Sequence, residues 1–151
     1  MRLFVGIDPG AVSGAWGMVD HHGGYWSSGV IPHEAGRIRA RDFKAELMQA
    51  IDGQDVMFCI EDVHSMPKQG VSSTFKFGMA VGAIQAIVEL TRAPWVIVRP
   101  QRWKKDMGVT AQKSTSLDLA REVWPSAPLK RVKDHGVAEA LLLAEWLRRQ
   151  G

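Results

Sequence analysis

Residues 2–10 of the chain read Arg-Leu-Phe-Val-Gly-Ile-Asp-Pro-Gly, a short apolar run that stops at an acid and a turn. A run of this form, bounded by Pro and Gly, is typical of a buried β-strand. Residues 56–61, Val-Met-Phe-Cys-Ile-Glu, have the same form and also end in a carboxylate. Because ligands in open α/β sheets collect at the carboxyl ends of strands, Asp8 and Glu61 predict a functional site at one sheet edge.

The segments around these two strands predict a mixed α/β order. Three further stretches read as strands: residues 14–20, 25–31 and 95–98. Four stretches have helical apolar periodicity: residues 37–51, 72–90, 113–123 and 134–149. Ser72 or Ser73 is the expected cap of the longest helix. The turn at 21–24 makes the first three strands an antiparallel meander. We expect one α/β domain over residues 1–151, with a mixed five-stranded sheet flanked by helices.

Composition excludes several classes of protein. The chain has 151 residues, of which 46% are hydrophobic and 23% charged, which is globular rather than disordered. The single cysteine, Cys59, cannot form an internal disulfide and predicts a reducing, cytoplasmic location. The N-terminal apolar run reaches the acid Asp8 too early to be the hydrophobic region of a signal peptide. We expect no apolar stretch to reach the ~18–20 residues that span a bilayer, and therefore no membrane partner.

The positive charge is concentrated in one segment. The formal net charge is only +3, but residues 99–133 contain nine Lys or Arg against three acids. A polyanion such as nucleic acid would favour this segment. From the charge alone, a solvated basic surface is the better explanation.

The start of the last predicted helix adds further candidate ligands. His135 and Glu139 are four residues apart and share one helical face, and Asp134 lies beside the helix start. Acids that converge near a dry core repel, and a hard divalent cation such as Mg²⁺ or Mn²⁺ removes that repulsion. Each acid alone has an ordinary explanation, as a turn former, strand-end acid, cap or solvated residue. Glu139, however, stands in the run Ala-Glu-Ala-Leu-Leu-Leu-Ala, where a solvated acid is out of place.

Four blocks of sequence, in order along nearly the whole chain, resemble the RuvC-like Holliday junction resolvases of the RNase H-like superfamily, and the third resembles phage-type members. The blocks are Phe4–Gly10 with Gly14; Ile60–Val63, Met66–Lys68 and Phe75–Gly78 with Gly82; Pro100, Trp103, Lys104, Gly108 and Lys113; and Asp134–Leu142.

The resemblance implies an RNase H-like fold and a homodimer, and suggests a phage or prophage origin. It also implies Mg²⁺-dependent cleavage, with Mn²⁺ as a substitute, of four-way junctions and related branched DNA. Such a structure-selective endonuclease leaves 5′-phosphate and 3′-hydroxyl ends. Two ions about 3.5–4 Å apart would activate water and stabilise the leaving oxygen.

The resemblance also implies roles for individual residues. Asp8 and Glu61 match the first two catalytic, metal-binding carboxylates, and Glu139 stands where the family usually has Asp. The position three residues before Glu139 is a glycine, so Asp134 or His135 must supply the remaining group. We expect Asp134 as a ligand and His135 as a ligand or proton shuttle. Lys113 is either a contact to the phosphate that also neutralises the transition state, or a surface lysine.

Further residues are expected at the DNA. Phosphate contacts are predicted for Lys68, Lys76, Arg102, Lys104 and Lys105. His64 and Met66 stand near where bacterial relatives place a wedging aromatic, and either can stack on an unpaired base.

Two other functions fit the same residues. The chain could be a non-catalytic branched-DNA-binding module, but such a module would have lost the acids that are present here. An RNase H-like nuclease acting on RNA is also open. For the dimer, residues 72–90 are apolar on more than one face, which suits a core on one side and a partner on the other. A fully buried helix would give the same pattern.

Overall fold

The computed structural model describes residues 1–10, 14–64 and 67–151. The strands are β1 Arg2–Asp8, β2 Ala15–Val19, β3 Tyr25–Val30, β4 His33–Glu34, β5 Arg37–Ile38, β6 Asp55–Glu61 and β7 Trp95–Val98. The helices are α1 Ala40–Ile51, α2 Val71–Leu90, α3 Pro100–Met107, α4 Lys113–Val123 and α5 His135–Gln150, with a 3₁₀ turn at Val132–Asp134.

Five of the described strands form one mixed sheet in the order β3-β2-β1-β6-β7. Strands β1, β2 and β3 are antiparallel neighbours, as the predicted meander requires. Strand β6 runs parallel to β1 on its other side, and Ile7 pairs with Ile60. The next residues, Asp8 and Glu61, therefore end adjacent strands at the same edge of the sheet.

The sheet separates two hydrophobic clusters. Alternate residues of β1, such as Leu3, Val5 and Ile7, pack with α1 and α2 on one face. On the other face the long apolar helix α5 packs with α3 and α4. Residues 136–147 of α5 are all buried, so this helix is the centre of its layer.

Glycines let α5 approach the sheet backbone directly. A Cβ on Gly6 in β1 would lie 2.7 Å from the Ala144 nitrogen and 2.9 Å from the Leu143 Cβ, and closer still to the Ala140 carbonyl oxygen. A Cβ on Gly17 in β2 would lie 2.9 Å from the Leu141 nitrogen. This close approach holds the start of α5, and with it Glu139, near the end of β1.

Two predicted element boundaries are wrong, and each has a local cause. Residues 37–38 form the second strand of a small hairpin rather than the start of a helix. Its turn residues, Ala35 and Gly36, both have positive φ, as two-residue hairpin turns require. Helix α2 begins after Gly70 and has no side-chain cap, so neither Ser72 nor Ser73 caps it.

Helix α3 was not predicted. Pro100 comes shortly after the predicted strand 95–98 and occupies the start of this helix. Proline is favourable there, because its fixed φ suits the helix and its missing N–H is not needed.

The expectation that no apolar stretch reaches membrane-spanning length is wrong for helix α2. Its 20 residues are long and apolar enough to cross a bilayer by length and composition. One such helix is weak evidence for a membrane span, because a helix packed in a protein interior can have the same composition. Only 22% of its most apolar window is buried, however, so its outer apolar side chains need a separate explanation.

We predict that Gly6→Ala destabilises the protein, because the added methyl would overlap the α5 backbone. The expected loss in the free energy of unfolding is about 1–3 kcal/mol or more. The matched control is Gly70→Ala at the start of α2, where the backbone is extended and a Cβ meets nothing within 4 Å. The control should change the free energy of unfolding by less than about 1 kcal/mol. Urea unfolding of both variants measures this, and a Gly6→Ala protein as stable as the wild type would refute the close contact.

Candidate functional site

Three carboxylates from three elements approach one another at the edge of the sheet. Asp8 ends β1, Glu61 ends β6 and Glu139 lies in the first turns of α5. Glu61 and Glu139 are buried, at 6% and 7% exposure. Burial raises the pKa of Asp8 well above its usual value, and the negative charges of Glu61 and Glu139 raise it further. The structure thus brings together the three acids that the sequence singled out most clearly.

The Glu61 carboxylate is held by the indole of Trp103 in helix α3. Burial raises the pKa of the Glu61 carboxyl, and the charge of Glu139 adds to this. Against these, the Trp103 Nε1–H donates a hydrogen bond of 2.7 Å to Glu61 Oε2. The pKa of Glu61 stays raised, since the indole only partly offsets the cost of burying the charge.

Two lysines supply positive charge at the acids. Lys104 Nζ lies 3.3 Å from Glu139 Oε2, and the Lys104 side chain is mostly buried. Lys113 is the first residue of α4, at the predicted helix N-terminus. The charges of both lysines act to lower the pKa of Asp8 and of Glu61. Both ammonium groups therefore belong to the electrostatics of this site.

His135 joins the cluster from the first position of α5. Burial lowers the pKa of its imidazole, the charge of Lys113 lowers it further, and Glu139 opposes both. Its Nδ1 is buried and has no hydrogen-bond partner among the described residues. A neutral imidazole with a free ring nitrogen suits a ligand or a proton acceptor.

Asp134 is placed differently from the other predicted site acids. Its carboxylate accepts hydrogen bonds from the Arg131 backbone N–H at 2.8 Å and from the Arg131 guanidinium at 2.9 Å. Burial acts to raise the pKa of Asp134, but these bonds outweigh it and the pKa is lowered. The largest effects of neighbouring charges on the pKa of Asp134 come from Arg131 and Lys133, whereas the largest on Asp8 come from Glu61 and Glu139.

The predicted DNA contacts are spread over several elements. Those exposed at the surface are His64, Lys68, Lys76, Arg102 and Lys105. The Arg102 guanidinium lies 5.3 Å from the centre of the Trp146 ring of α5. Met66 lies outside the described residues.

A groove of about 860 Å³ runs from the acid edge to the start of α2. Pro9 and Gly10, directly after Asp8, line one end, and Lys76 lines the wall near the β4–β5 hairpin turn. Lys76 is the only charged residue among the described residues that line this groove. A phosphate chain in the groove would therefore meet one cation and no acid.

The donor chemistry of the site fits a hard divalent cation. Asp8, Glu61 and Glu139 offer carboxylate oxygens, the ligands that Mg²⁺ and Mn²⁺ prefer, and His135 offers a nitrogen. The mutual repulsion of the three acids and the raised pKa values of Asp8 and Glu61 favour a bound cation that would relieve both. Within the described ranges, no three His, Cys, Asp or Glu side chains lie close enough to hold an ion without adjustment.

Two roles in this site were not predicted from the sequence. Trp103 was not singled out as a site residue, and Lys104 was assigned to phosphate instead of to Glu139. Trp103 is 42 positions from Glu61. Their contact depends on how α3 packs across the sheet, and no local pattern indicates it.

No protein-family model matches the sequence, and no curated protein matches it. Two similar solved structures are both of RuvC from Thermus thermophilus. One, a complex with a Holliday junction substrate, is 17% identical with a TM-score of 0.71, and covers 99% of this chain and 96% of its own. The other is 19% identical, with the same TM-score and coverage. The chain has the RuvC, RNase H-like fold, as predicted.

We predict that Asp8→Asn stabilises the metal-free protein at neutral pH by roughly 0.5–2 kcal/mol, the usual gain from relieving an unfavourable site. The raised pKa of Asp8 means that the folded state binds more protons than the unfolded state above about pH 3.8. The free energy of unfolding therefore falls as pH rises from there through the raised pKa. The advantage of the variant should grow over the same window.

The measurement is urea unfolding in EDTA at several pH values between about 4 and 8. Asp118→Asn, an exposed change on α4 that removes the same charge, is the control and should stay within about 0.5 kcal/mol of the wild type. An Asp8→Asn protein less stable than the wild type at neutral pH would contradict the repulsion.

Proposed function

We propose that the protein is a divalent-metal-dependent endonuclease that resolves four-way DNA junctions and related branched DNA, leaving 5′-phosphate and 3′-hydroxyl ends. The observation that carries the proposal is the convergence of Asp8, Glu61 and Glu139, with two lysines, at the strand ends of a RuvC-fold sheet. The complex of Thermus thermophilus RuvC with a Holliday junction substrate supports branched DNA as the substrate class.

The three carboxylates are the proposed metal ligands, with His135 as the fourth group. Bound divalent cations, Mg²⁺ or Mn²⁺ and two per site, would activate the attacking water and stabilise the leaving 3′ oxygen. Because the pKa of His135 is lowered, its imidazole is neutral and its Nδ1 can coordinate or accept a proton. Asp134 instead orders the turn before α5 through its bonds to Arg131.

Lys113 is the proposed partner of the scissile phosphate. Its charge acts on Asp8, Glu61 and His135, three of the four proposed ligand groups. An ammonium at this point would attract the phosphate and offset the charge that develops during attack. Lys76, in the groove that starts at Pro9, is placed to hold the same strand further along.

We further propose a homodimer formed through the outer face of α2. Phe75 and Met79 are one turn apart on this face, at 68% and 39% exposure. Gly78 and Gly82 add no Cβ and have open space around them, so a second helix can approach closely. A four-way junction has two equivalent strands to cut, and a two-fold dimer presents two equivalent active sites.

The cytoplasmic location and the phage or prophage origin stay predictions from the sequence. The DNA roles of His64, Lys68, Arg102 and Lys105 are likewise proposals, supported by their exposure.

We predict that the wild-type protein nicks a labelled four-way junction in Mg²⁺ or Mn²⁺ at paired, symmetric positions. Asp8→Asn and Glu61→Gln should each reduce the cleavage rate by at least about 100-fold. Loss of a residue that only orients a metal ligand typically costs about 10–100-fold, and loss of the ligand itself should cost more. Asp118→Asn should cut like the wild type. The products are resolved on denaturing gels, with EDTA as the metal-free control.

Other outcomes would replace the proposal. Tight junction binding without cutting in either metal would identify a non-catalytic binding module. Faster cleavage of RNA than of DNA junctions would identify an RNA nuclease. Equal cutting of flaps, forks and junctions would leave a general debranching nuclease.

We predict that the double change Phe75→Glu and Met79→Glu converts the dimer to a monomer, because four buried carboxylates would face one another at the two-fold interface. Light scattering after size exclusion should give about twice 16.7 kDa for the wild type and 16.7 kDa for the variant. Val123→Glu, which adds charge at an exposed apolar residue of α4, should remain dimeric. A monomeric wild type at micromolar concentration would refute this interface.

A further inference from the structure

Helix α3 delivers a buried indole to a carboxylate of the proposed metal site. Trp103 is fully buried, and its Nε1–H donates to Glu61 Oε2 at 2.7 Å. Among the described residues, no donor is bonded to the other oxygen, Oε1. We propose that Trp103 is a positioning residue, which fixes Glu61 by Oε2 so that Oε1 is the oxygen offered to a divalent cation. This inference rests on the proposed function, since it needs Glu61 to be a metal ligand.

The chemistry of the indole suits this role. An indole N–H donates one hydrogen bond and has no lone pair for a metal, so it can hold a carboxylate without competing for the cation. It also does not ionise near neutral pH, unlike a histidine or a second carboxyl group. The bond therefore persists whether or not Glu61 carries a cation.

The position of Trp103 is itself fixed by two contacts between α3 and α5, made by residues that follow Trp103 in the helix. The next residue, Lys104, pairs with Glu139 at 3.3 Å. One turn later, Asp106 Oδ2 accepts a hydrogen bond of 2.8 Å from Trp146 Nε1 on α5. Helix α3 thus connects the acid of β6 with the acid of α5, and it is braced against α5 independently of Glu61.

A partner of this kind has a characteristic effect on metal binding. Groups that orient a metal ligand typically contribute 10–100-fold to metal affinity. Without the indole bond, Glu61 is free to take other rotamers in a site where Glu139 and Asp8 repel it. We therefore expect weaker metal binding, in addition to any loss of cleavage.

The test is Mn²⁺ titration of the full chain by calorimetry, with Trp103→Phe as the variant. Phenylalanine keeps most of the apolar ring and removes the N–H. The expected result is 10–100-fold weaker Mn²⁺ binding. Trp124→Phe is a matched control, because it removes an indole bond of similar length, 2.9 Å, from a buried tryptophan to the Gly23 carbonyl, which is outside the proposed site. The control should bind Mn²⁺ within about twofold of the wild type.

A double-mutant cycle separates positioning from general destabilisation. In a Glu61→Gln background, Trp103→Phe should cause no further loss of Mn²⁺ affinity, because the carboxylate that it positions is absent. Equal losses in both backgrounds would overturn the proposal, as would a folded Trp103→Phe protein with wild-type affinity.

A second measurement applies if Trp103→Phe does not fold. In spectra of wild-type protein with ¹⁵N-labelled indoles, one resonance should shift both on addition of Mg²⁺ and in the Glu61→Gln variant. The Trp124 indole, bonded to the Gly23 carbonyl, should shift in neither case. A Glu61→Gln variant that moves no indole resonance would overturn the proposal.

Failure of the proposed function gives a different result. A wild type that binds Mn²⁺ and shows the Trp103 effect, but cuts no branched DNA, refutes the nuclease and leaves the positioning role in place. A wild type that binds no Mn²⁺ refutes both.

Discussion

The contact between α5 and the backbone of β1 determines where the functional groups lie. Because Gly6 has no side chain, α5 lies directly on the strand that ends in Asp8. The same helix carries His135 and Glu139 in its first turns, so the packing that forms one half of the core also brings these groups to the sheet edge. A larger residue at position 6 would move the helix away from the strand, and with it the third carboxylate. The packing of α5 on β1 therefore determines both the core and the positions of these site residues.

This arrangement concentrates negative charge in a place with little water. Burial and mutual repulsion raise the pKa of Asp8 and of Glu61, so the site is electrostatically unfavourable without positive charge. Lys104 and Lys113 provide part of that charge from the neighbouring helices. An electrostatically unfavourable site of this kind is typical of a functional centre, because nothing in the fold itself requires three acids at one edge.

The sequence was sufficient for the features that depend on local pattern. Apolar runs with terminal acids identified β1 and β6, and the parallel pairing of Ile7 with Ile60 confirms that both acids end at one edge. The four-residue spacing of His135 and Glu139 placed them on one helical face. What the sequence could not show depends on tertiary packing. Asp134 and His135 are adjacent in sequence, and only the structure shows that the Asp134 carboxylate is bonded to Arg131 while the His135 Nδ1 has no partner among the described residues.

The same limit applies to the basic segment 99–133, because a count of charges along the chain does not show which of them have partners inside the fold. Counted along the chain, its nine Lys and Arg suggest one surface for nucleic acid. In the fold, several of them serve internal partners: Lys104 pairs with Glu139, Arg121 donates to the Leu129 carbonyl, and Arg131 holds Asp134.

Two of these pairs, Lys104 with Glu139 and Arg131 with Asp134, lie at or beside the start of α5. Part of the positive charge of this segment is therefore paired inside the fold, and the charge of Lys104 is paired with the site acid Glu139. For the proposed DNA substrate, the candidate phosphate contacts are cations outside those pairs, such as Lys76 in the groove lined by Pro9.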